Sequence, residues 1–291
     1  MPDKYNLIDT FPNFIKFWKD KLSIDTNSQV DFWESFYRNE DEEIFKKVIK
    51  NYSDEGIEWK DIAKKMIFPI NSEKIIRMNE AHINLQKVIS DLYNDPKAME
   101  IFPSDLTFVI YVGIGTGAGW ATDYRSKPSV LFGLENIIDM HWENEIALRG
   151  LVIHETGHVL QEIIRRRKKL PYGDGPIWHL YEEGFAEYFE SLLLNSEEWH
   201  QSLGQPGWST WCEDHIQYLS TLFLNDVASS NKTNRFFGSW YDIEGWKETG
   251  YYLGYRIMKQ IELPLRELAC LTPEEIETKV SQTLSEFANS R

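Results

Sequence analysis

The chain has 291 residues, 42% of them hydrophobic and 26% charged, the composition of a globular protein large enough for one substantial core or for two lobes around a cleft. Its formal net charge of −15 at pH 7 argues against nucleic acid and anionic membrane surfaces as partners. No apolar segment has the length of a signal peptide or a membrane span, and the two cysteines lack metal-site spacing, so we expect a cytoplasmic protein.

The spacing of apolar residues predicts a mostly helical α+β fold in three regions. Residues 1–100 have the amphipathic spacing of helices that form a scaffold or one wall of a cleft. Residues 101–195 combine strand patterns with two longer helical patterns, and we expect the catalytic core there. Residues 196–291 return to helical patterns, which are broken near residues 204–207 and 231–238.

Three strand-like segments precede the central helices. Residues 106–112, 119–124 and 129–133 are rich in β-branched and aromatic side chains, and together they predict a small antiparallel sheet. Residues 113–119 are glycine-rich, but a strand pattern follows them and no Gly-Lys-Ser/Thr ending is present. A phosphate-binding loop would need a helix directly after it, so we expect a hairpin loop instead.

The most informative motif is the H-E-x-x-H run at residues 154–158, within a proline-free stretch from 144 to 167 that carries two apolar stripes at helical spacing. On a helix, positions i and i+4 share a face, so two imidazoles can bind one metal ion while Glu155 lies beside it to take a proton from water. Gly157 is a poor helix former, which indicates that something packs tightly against the helix there. The alternative is a helix that carries these side chains without a metal.

A catalytic zinc normally takes three protein ligands and keeps one position for water, so His154 and His158 need a third partner. Residues 178–194 predict a second helix, on which Glu183 and Glu187 lie one turn apart on the same face. Glu183 can ligate the metal, and Glu187 can hold a ligand imidazole by its other nitrogen. The alternative is an acidic, solvated helix face.

Other residues compete for the third position. Glu182 points about a quarter-turn away from Glu183 and is the weaker candidate. His179, four residues before Glu183, is the rival ligand. The remaining histidines stand alone in the sequence, and we expect them to be packed or exposed: His82, His141, His200 and His215.

Together, the H-E-x-x-H run and residues 183–188, which read Glu-Gly-Phe-Ala-Glu-Tyr, resemble the gluzincin metallopeptidases. These include the thermolysin-like proteases and the aminopeptidase N-like enzymes, in which the third zinc ligand is a glutamate on a following helix, often within N-E-G-F-A-E-Y. The resemblance therefore implies Glu183 as the ligand, with Glu182 in the place of the family's asparagine. Residues 109–194 also resemble a group of bacterial proteins described as predicted zinc-dependent proteases.

The spacing differs from that family. Twenty-four residues lie between His158 and Glu183, more than the gluzincins have. The extra length consists of a basic run at residues 165–169 and a turn-rich loop at residues 171–176. We expect the basic run to be a solvated helix end that suits the helix dipole.

The same resemblance suggests how substrate binds. In gluzincin-like folds the edge strand of the sheet pairs with the substrate backbone. Residues 133–136 read Gly-Leu-Glu-Asn and are similar to the G-x-M-E-N segment of aminopeptidase N-like enzymes, whose glutamate binds the free amino group of the substrate. This implies a substrate-binding role for Gly133 and Glu135. The alternative for Glu135 is an ordinary acid at the end of a strand.

A late helix supplies the last candidates. Aminopeptidase N-like enzymes carry a catalytic tyrosine three residues before a glycine, and Tyr251 and Gly254 have that spacing. The hydroxyl of Tyr251, or of Tyr252 as the next choice, can donate a hydrogen bond to the oxyanion. Arg256 can bind a carboxylate or orient the tyrosines. The alternative is aromatic packing in a core.

These features predict a zinc-dependent peptidase with one Zn²⁺ per chain and a peptide or protein as its substrate. Glu155 is the expected general base, which activates water and then passes the proton to the leaving amine. Two alternatives stay open, a non-catalytic binding protein that keeps the metal site as a scaffold and a metallohydrolase of a non-peptide amide. The presence of Glu155 argues against the non-catalytic binding protein, because such a protein does not need a general base.

Overall fold

The computed structural model describes residues 5–54, 56–197, 199–230, 232–238 and 241–290, most of which lie in helices. The mostly helical α+β class expected from the sequence is confirmed. Two compact units make up the chain, Met1–Val152 and Ile153–Arg291, whereas the division into three regions stays a prediction. Within the described ranges, no helix combines the length and the apolar character that crossing a membrane requires.

The first unit contains a sheet and the helices packed around it. Its strands are β1 (Asn6–Asp9), β2 (Thr107–Tyr111), β3 (Gly119–Tyr124) and β4 (Lys127–Gly133). Its helices are α1 (Phe11–Trp18), α2 (Thr26–Glu40), α3 (Glu42–Asp54), α4 (Trp59–Ile62), α5 (Ser72–Leu92), α6 (Pro96–Met99) and α7 (Leu134–Asp139). Helix α8 (Glu145–Lys168), which carries the H-E-x-x-H run, contributes residues to both units.

The described strands form a mixed sheet in the order β1-β2-β4-β3. Strands β3 and β4 pair antiparallel, but β2 pairs parallel with both β1 and β4, so the expectation of an all-antiparallel sheet is wrong. The cause lies in β2, all five residues of which are buried. A strand buried on both faces reads as a continuous apolar run, which is typical of parallel pairing.

The glycine-rich segment after β2 is a crossing connection rather than a hairpin loop, because β2 pairs with β4 and not with β3. Glu135, in the first turn of α7, holds it: its Oε2 accepts a hydrogen bond from the Gly113 N–H at 2.6 Å, and its Oε1 accepts one from the Gly115 N–H at 3.1 Å. A Cβ atom on Gly113 would lie 2.5 Å from Glu135 Oε1, so a larger residue there would displace this carboxylate from the connection.

The second unit is helical in its described residues. After the end of α8 it contains α9 (Gly175–Leu194), α10 (Trp208–Asp214), α11 (Ile216–Ser230), α12 (Thr249–Ile261), α13 (Leu265–Leu268) and α14 (Pro273–Ala288). The basic run at the end of α8 is not wholly solvated as expected. Arg165 is buried and donates hydrogen bonds to the carbonyls of Ala269 and Leu271 at 3.2 and 2.8 Å.

Glycines allow three helices of this unit to approach closely. A Cβ atom on Gly157 of α8 would lie 2.9 Å from the Phe189 ring of α9, which confirms the expectation of tight packing at that glycine. A Cβ atom on Gly184 of α9 would lie 2.5 Å from the backbone of Gly254 in α12. Real Cβ atoms do not come so close, so α9 packs against both α8 and α12 through backbone contacts that larger residues would prevent.

The buried Glu135 generates a prediction about stability. Burial raises the pKa of Glu135 to about 7, despite the opposing hydrogen bonds from the loop. Its ordinary pKa is 4.5, so as the pH rises from about 4.5 to 7 the unfolded chain ionises first and the folded state loses stability. At 1.36 kcal/mol per pKa unit the loss reaches about 3 kcal/mol.

The measurement is the free energy of unfolding in denaturant from pH 4.5 to 8, for the natural chain and for Glu135→Gln. Comparing the two cancels the other titrating groups, and the natural chain should lose about 3 kcal/mol relative to the variant over this range. Parallel pH profiles for the two proteins would contradict this account of Glu135.

Candidate metal centre

Helix α8 presents both histidines of the H-E-x-x-H run on one face. Residues four apart lie one turn apart on a helix, and the ring centroids of His154 and His158 are 4.9 Å apart. His154 is buried, and its side chain is only 4% exposed, whereas the side chain of His158 is 19% exposed. One imidazole is therefore fixed within the protein, and the other lies closer to solvent.

Helix α9 brings Glu183 to the same point. Its Oε2 lies 3.2 Å from His154 Nε2 and 3.3 Å from His158 Nε2, and the two Nε2 atoms are 3.2 Å apart. Three donor atoms on two helices thus form a nearly equilateral triangle. Close packing of α8 on α9 at Gly157 makes this approach possible.

The triangle fits a zinc ion. Donors bound tetrahedrally to Zn²⁺ at about 2.0–2.2 Å lie about 3.3–3.5 Å from one another, close to the separations of these three atoms. Two imidazoles and one carboxylate are also a ligand set that zinc commonly takes. Burial opposes ionisation of Glu183, but the neighbouring His158 and His154 hold its pKa well below its usual range. Metal binding would require both imidazoles to be neutral.

A buried acidic pair lies behind His154. Its Nδ1 atom, on the side of the ring away from the triangle, is 3.7 Å from an oxygen of Glu187 and 3.7 Å from an oxygen of Glu190. Both carboxyl groups are fully buried. Carboxylates beside Nδ1 favour the tautomer that carries a proton there and leaves Nε2 free to bind a metal, so both glutamates can orient His154.

His200 extends this pair. Its Nδ1 lies 3.0 Å from Glu190 Oε2, its backbone N–H donates to Glu190 Oε1 at 3.3 Å, and its ring is 5.3 Å from that of His154. Burial and the neighbouring Glu190 raise the pKa of Glu187 well above its usual range. Burial opposes ionisation of Glu190 as well, but His200 lowers its pKa. The pKa values of the two neighbouring carboxyl groups are therefore shifted in opposite directions.

Helix α12 places its two tyrosines differently. The ring of Tyr251 lies 5.8 Å from that of His154, and burial together with the charge of Glu183 raises the pKa of Tyr251 so that it stays a donor. Tyr252 donates its hydroxyl to Glu213 Oε2 at 2.6 Å, and Arg256 pairs with the same carboxylate. The structure thus brings Tyr251, but neither Tyr252 nor Arg256, beside the predicted metal ligands.

The rival third ligands do not converge with the two histidines. His179 Nδ1 lies 3.9 Å from Glu183 Oε1, but the side chain is 45% exposed and packs against Phe237 at 4.3 Å between ring centroids. Among the described residues, the groups of side chains that could hold a metal are His154 with His158 and Glu183, and His154 with Glu187 and Glu190. Neither His179 nor Glu182 belongs to them.

Gly133 and Glu135 belong to the first unit, where they support the glycine-rich connection. A Cβ atom on Gly133 would lie 2.7 Å from the carbonyl oxygen of Gly117, and both oxygens of Glu135 accept backbone hydrogen bonds. Their role in binding substrate stays a prediction.

Sequence reasoning missed Glu190 and His200. Glu183, Glu187 and Glu190 follow the i, i+4, i+7 spacing of one helix face in an otherwise apolar helix, a signal that could have found Glu190. His200 comes after the end of α9, where no periodic pattern connects it to the helix. His200 is packed, which is one of the two outcomes expected for it, and Glu190 holds both its ring and its backbone.

These features define a candidate zinc centre built from consecutive helices. A family described as "Putative zinc dependent peptidase (DUF5700)" matches residues 18–264, and the chain belongs to this family. The matched range includes the H-E-x-x-H run, Glu183 and Tyr251. Comparisons with curated proteins and with solved structures gave no match.

The geometry predicts about one zinc per chain and a specific loss of zinc in one variant. Glu183→Ala removes one corner of the triangle and should weaken zinc retention strongly, whereas Glu182→Ala, the adjacent acid on the same helix, should change it little. The measurement is the dissociation constant from competition with a chromophoric chelator, together with elemental analysis. If His179→Ala releases the metal and Glu183→Ala does not, the assignment of the third ligand is wrong.

Proposed function

We propose that this chain is a zinc-dependent peptidase of the gluzincin type, in which His154, His158 and Glu183 hold the metal ion. The observation that carries the proposal is the triangle of donor atoms, with Glu155 on the same helix between the two histidines. Membership in a family described as a zinc-dependent peptidase supports the metal and the reaction class.

When bound, zinc would supply a Lewis acid that polarises the scissile carbonyl and lowers the pKa of water. Glu155 would take the proton from the attacking water and pass it to the nitrogen of the leaving amine. Its charge acts on both His158 and Tyr251, which supports a position facing the same space as these side chains. Glu155 is only 9% exposed, so little bulk water would compete for the proton.

Tyr251 would stabilise the charge that develops on the carbonyl oxygen. Its raised pKa keeps the hydroxyl protonated, so it can donate a hydrogen bond to that oxygen. Tyr252 is a poorer choice because its hydroxyl already donates to Glu213. The two adjacent tyrosines therefore form a matched pair for experiment, one beside His154 and the other bonded elsewhere.

Behind the reacting groups, Glu187 and Glu190 would keep His154 in one orientation. A metal-binding imidazole whose other nitrogen faces a carboxylate loses little orientational freedom when the metal binds. Because Glu190 also holds His200 by two contacts, its own carboxylate is fixed. Glu187, Glu190 and His200 thus act as a positioning unit for one ligand, His154.

The test of the general base is Glu155→Gln, which keeps the size of the side chain and removes its basicity. We expect the variant to retain zinc, because Glu155 is not a ligand, and to hydrolyse peptides at least about 10²-fold more slowly. The assay is a peptide library with free and blocked amino termini, read by mass spectrometry. A zinc-loaded natural chain that cleaves nothing, with Glu155→Gln indistinguishable from it, would favour a non-catalytic metal-binding protein.

The test of the oxyanion donor compares Tyr251→Phe with Tyr252→Phe. Loss of one such donor typically costs about 10²–10³-fold in turnover, so Tyr251→Phe should lower kcat by that order without loss of zinc. Tyr252→Phe removes an equal hydroxyl whose partner is Glu213 and should leave kcat within a few-fold. Equal effects of the two substitutions on kcat would refute the role of Tyr251.

A further inference from the structure

Glu248 is a buried carboxylate that the proposed mechanism does not use. It directly precedes α12, and its backbone carbonyl accepts a hydrogen bond from the Tyr251 N–H at 3.2 Å. The residue is only 6% exposed. Its side chain makes no capping hydrogen bond to the helix, and the positive charge of the adjacent Lys247 acts on it.

The backbone of Glu248 adds a second unfavourable feature. Its φ of 60° lies in the left-handed region, which a residue with a Cβ atom adopts at a cost in free energy. Glu244 and Glu262 also have left-handed backbones, with φ of 56° and 54°, but both are exposed. Glu248 therefore combines backbone strain with the burial of a carboxylate, which is itself costly.

The surroundings of Glu248 indicate what would compensate for this cost. Tyr251, one turn further along, has its ring 5.8 Å from that of His154, so the start of α12 lies next to the candidate zinc centre. Burial raises the pKa of Glu248 to about 7, although the positive charge of Lys247 opposes this, and the charges of His154 and Glu183 also act on the carboxyl group. A positively charged group placed beside Glu248 would restore its ionised form and pair with it in a buried setting.

We propose that Glu248 binds an ammonium group of the substrate next to the candidate zinc centre and so selects the peptides that the site accepts. The ammonium group can be the free amino terminus of a peptide or the side chain of a lysine. This inference rests on the proposed peptidase function. An ammonium carries three donors and suits a carboxylate whose oxygens are not engaged, unlike those of Glu135.

A helix N-terminus also favours a negative charge, so Glu248 could serve α12 alone. The two roles differ in what a substitution changes. A carboxylate that only stabilises the helix would lower the melting temperature when replaced and leave ligand preference unchanged. A carboxylate that binds substrate would change the preference, and replacing it by asparagine, which tolerates the left-handed backbone, would not lower the melting temperature.

The experiment measures binding and hydrolysis separately. Binding is measured by calorimetry in zinc-loaded protein that carries Glu155→Gln, so that the peptides are not consumed. The probes are trialanine, N-acetyl-trialanine and N-acetyl-Ala-Lys-Ala, which offer an amino terminus, no ammonium group and a lysine ammonium group. Glu248→Gln and Glu248→Asn are compared with Glu244→Gln, the same change at an exposed glutamate with the same backbone conformation.

We expect the protein with Glu248 intact to bind at least one ammonium-bearing peptide about tenfold or more tightly than N-acetyl-trialanine, since a desolvated charge pair is worth that much or more. Glu248→Gln and Glu248→Asn should abolish the difference, and Glu244→Gln should keep it. Which peptide is favoured identifies the source of the ammonium group. No preference with Glu248 intact, or a preference that survives both substitutions, overturns the proposal.

Hydrolysis by zinc-loaded protein with Glu155 intact then separates this proposal from the one on which it rests. A preference in binding that depends on Glu248, without cleavage of any probe or library peptide, would mean that the ammonium site exists and that the peptidase function does not. Cleavage of peptides without any preference that depends on Glu248 would mean that the peptidase function exists and that the ammonium site does not.

Discussion

The position of one imidazole governs the candidate site. His154 lies within 3.2 Å of His158 and of Glu183 at its Nε2 atom and 3.7 Å from two buried carboxyl groups at its Nδ1 atom. Burying this ring requires acidic partners on one side and a ligand set on the other, because a polar ring without partners would be costly inside the protein. Helix α9 supplies both sets from a single face, since Glu183, Glu187 and Glu190 follow its period.

The approach of the helices explains why small residues lie where they do. Gly157 lets α9 pack on α8 directly below the histidines, and Gly184 lets α12 pack on α9 at Gly254. Larger side chains at these points would separate the backbones, and Glu183 and Tyr251 would move away from His154 with them. In this unit, the reactive side chains and the glycines of the close helix contacts therefore lie near each other in the sequence. Gly157 lies between His154 and His158, Gly184 follows Glu183, and Gly254 lies three residues after Tyr251.

The parts of this arrangement that depend on local spacing could be predicted from the sequence. The H-E-x-x-H helix, the second acidic helix and the tight contact at Gly157 all follow from helical periodicity and residue type. The choice between Tyr251 and Tyr252 could not, because it depends on Glu213, which lies on another helix and engages Tyr252. His200 was missed for the same reason, since only the tertiary fold brings it to Glu190. Likewise, β2, β3 and β4 were found by their composition, whereas β1 lies in a region that was expected to be helical. The parallel pairing of β2 with β4 depends on where the chain crosses.

The buried glutamates differ in how far their neighbours offset the cost of burying a carboxylate. Glu190 has His200, and Glu183 has two histidines, so each of these carboxylates is compensated by partners within the fold. Two backbone N–H groups offset part of the cost of burying Glu135. Glu248 makes no capping hydrogen bond to α12, and the charge of the adjacent Lys247 does not offset its burial, which raises its pKa to about 7. Its backbone is strained as well. A fold that retains such a group gains nothing from it in packing, whereas a site that must recognise a cation needs a carboxylate that the protein has not already neutralised.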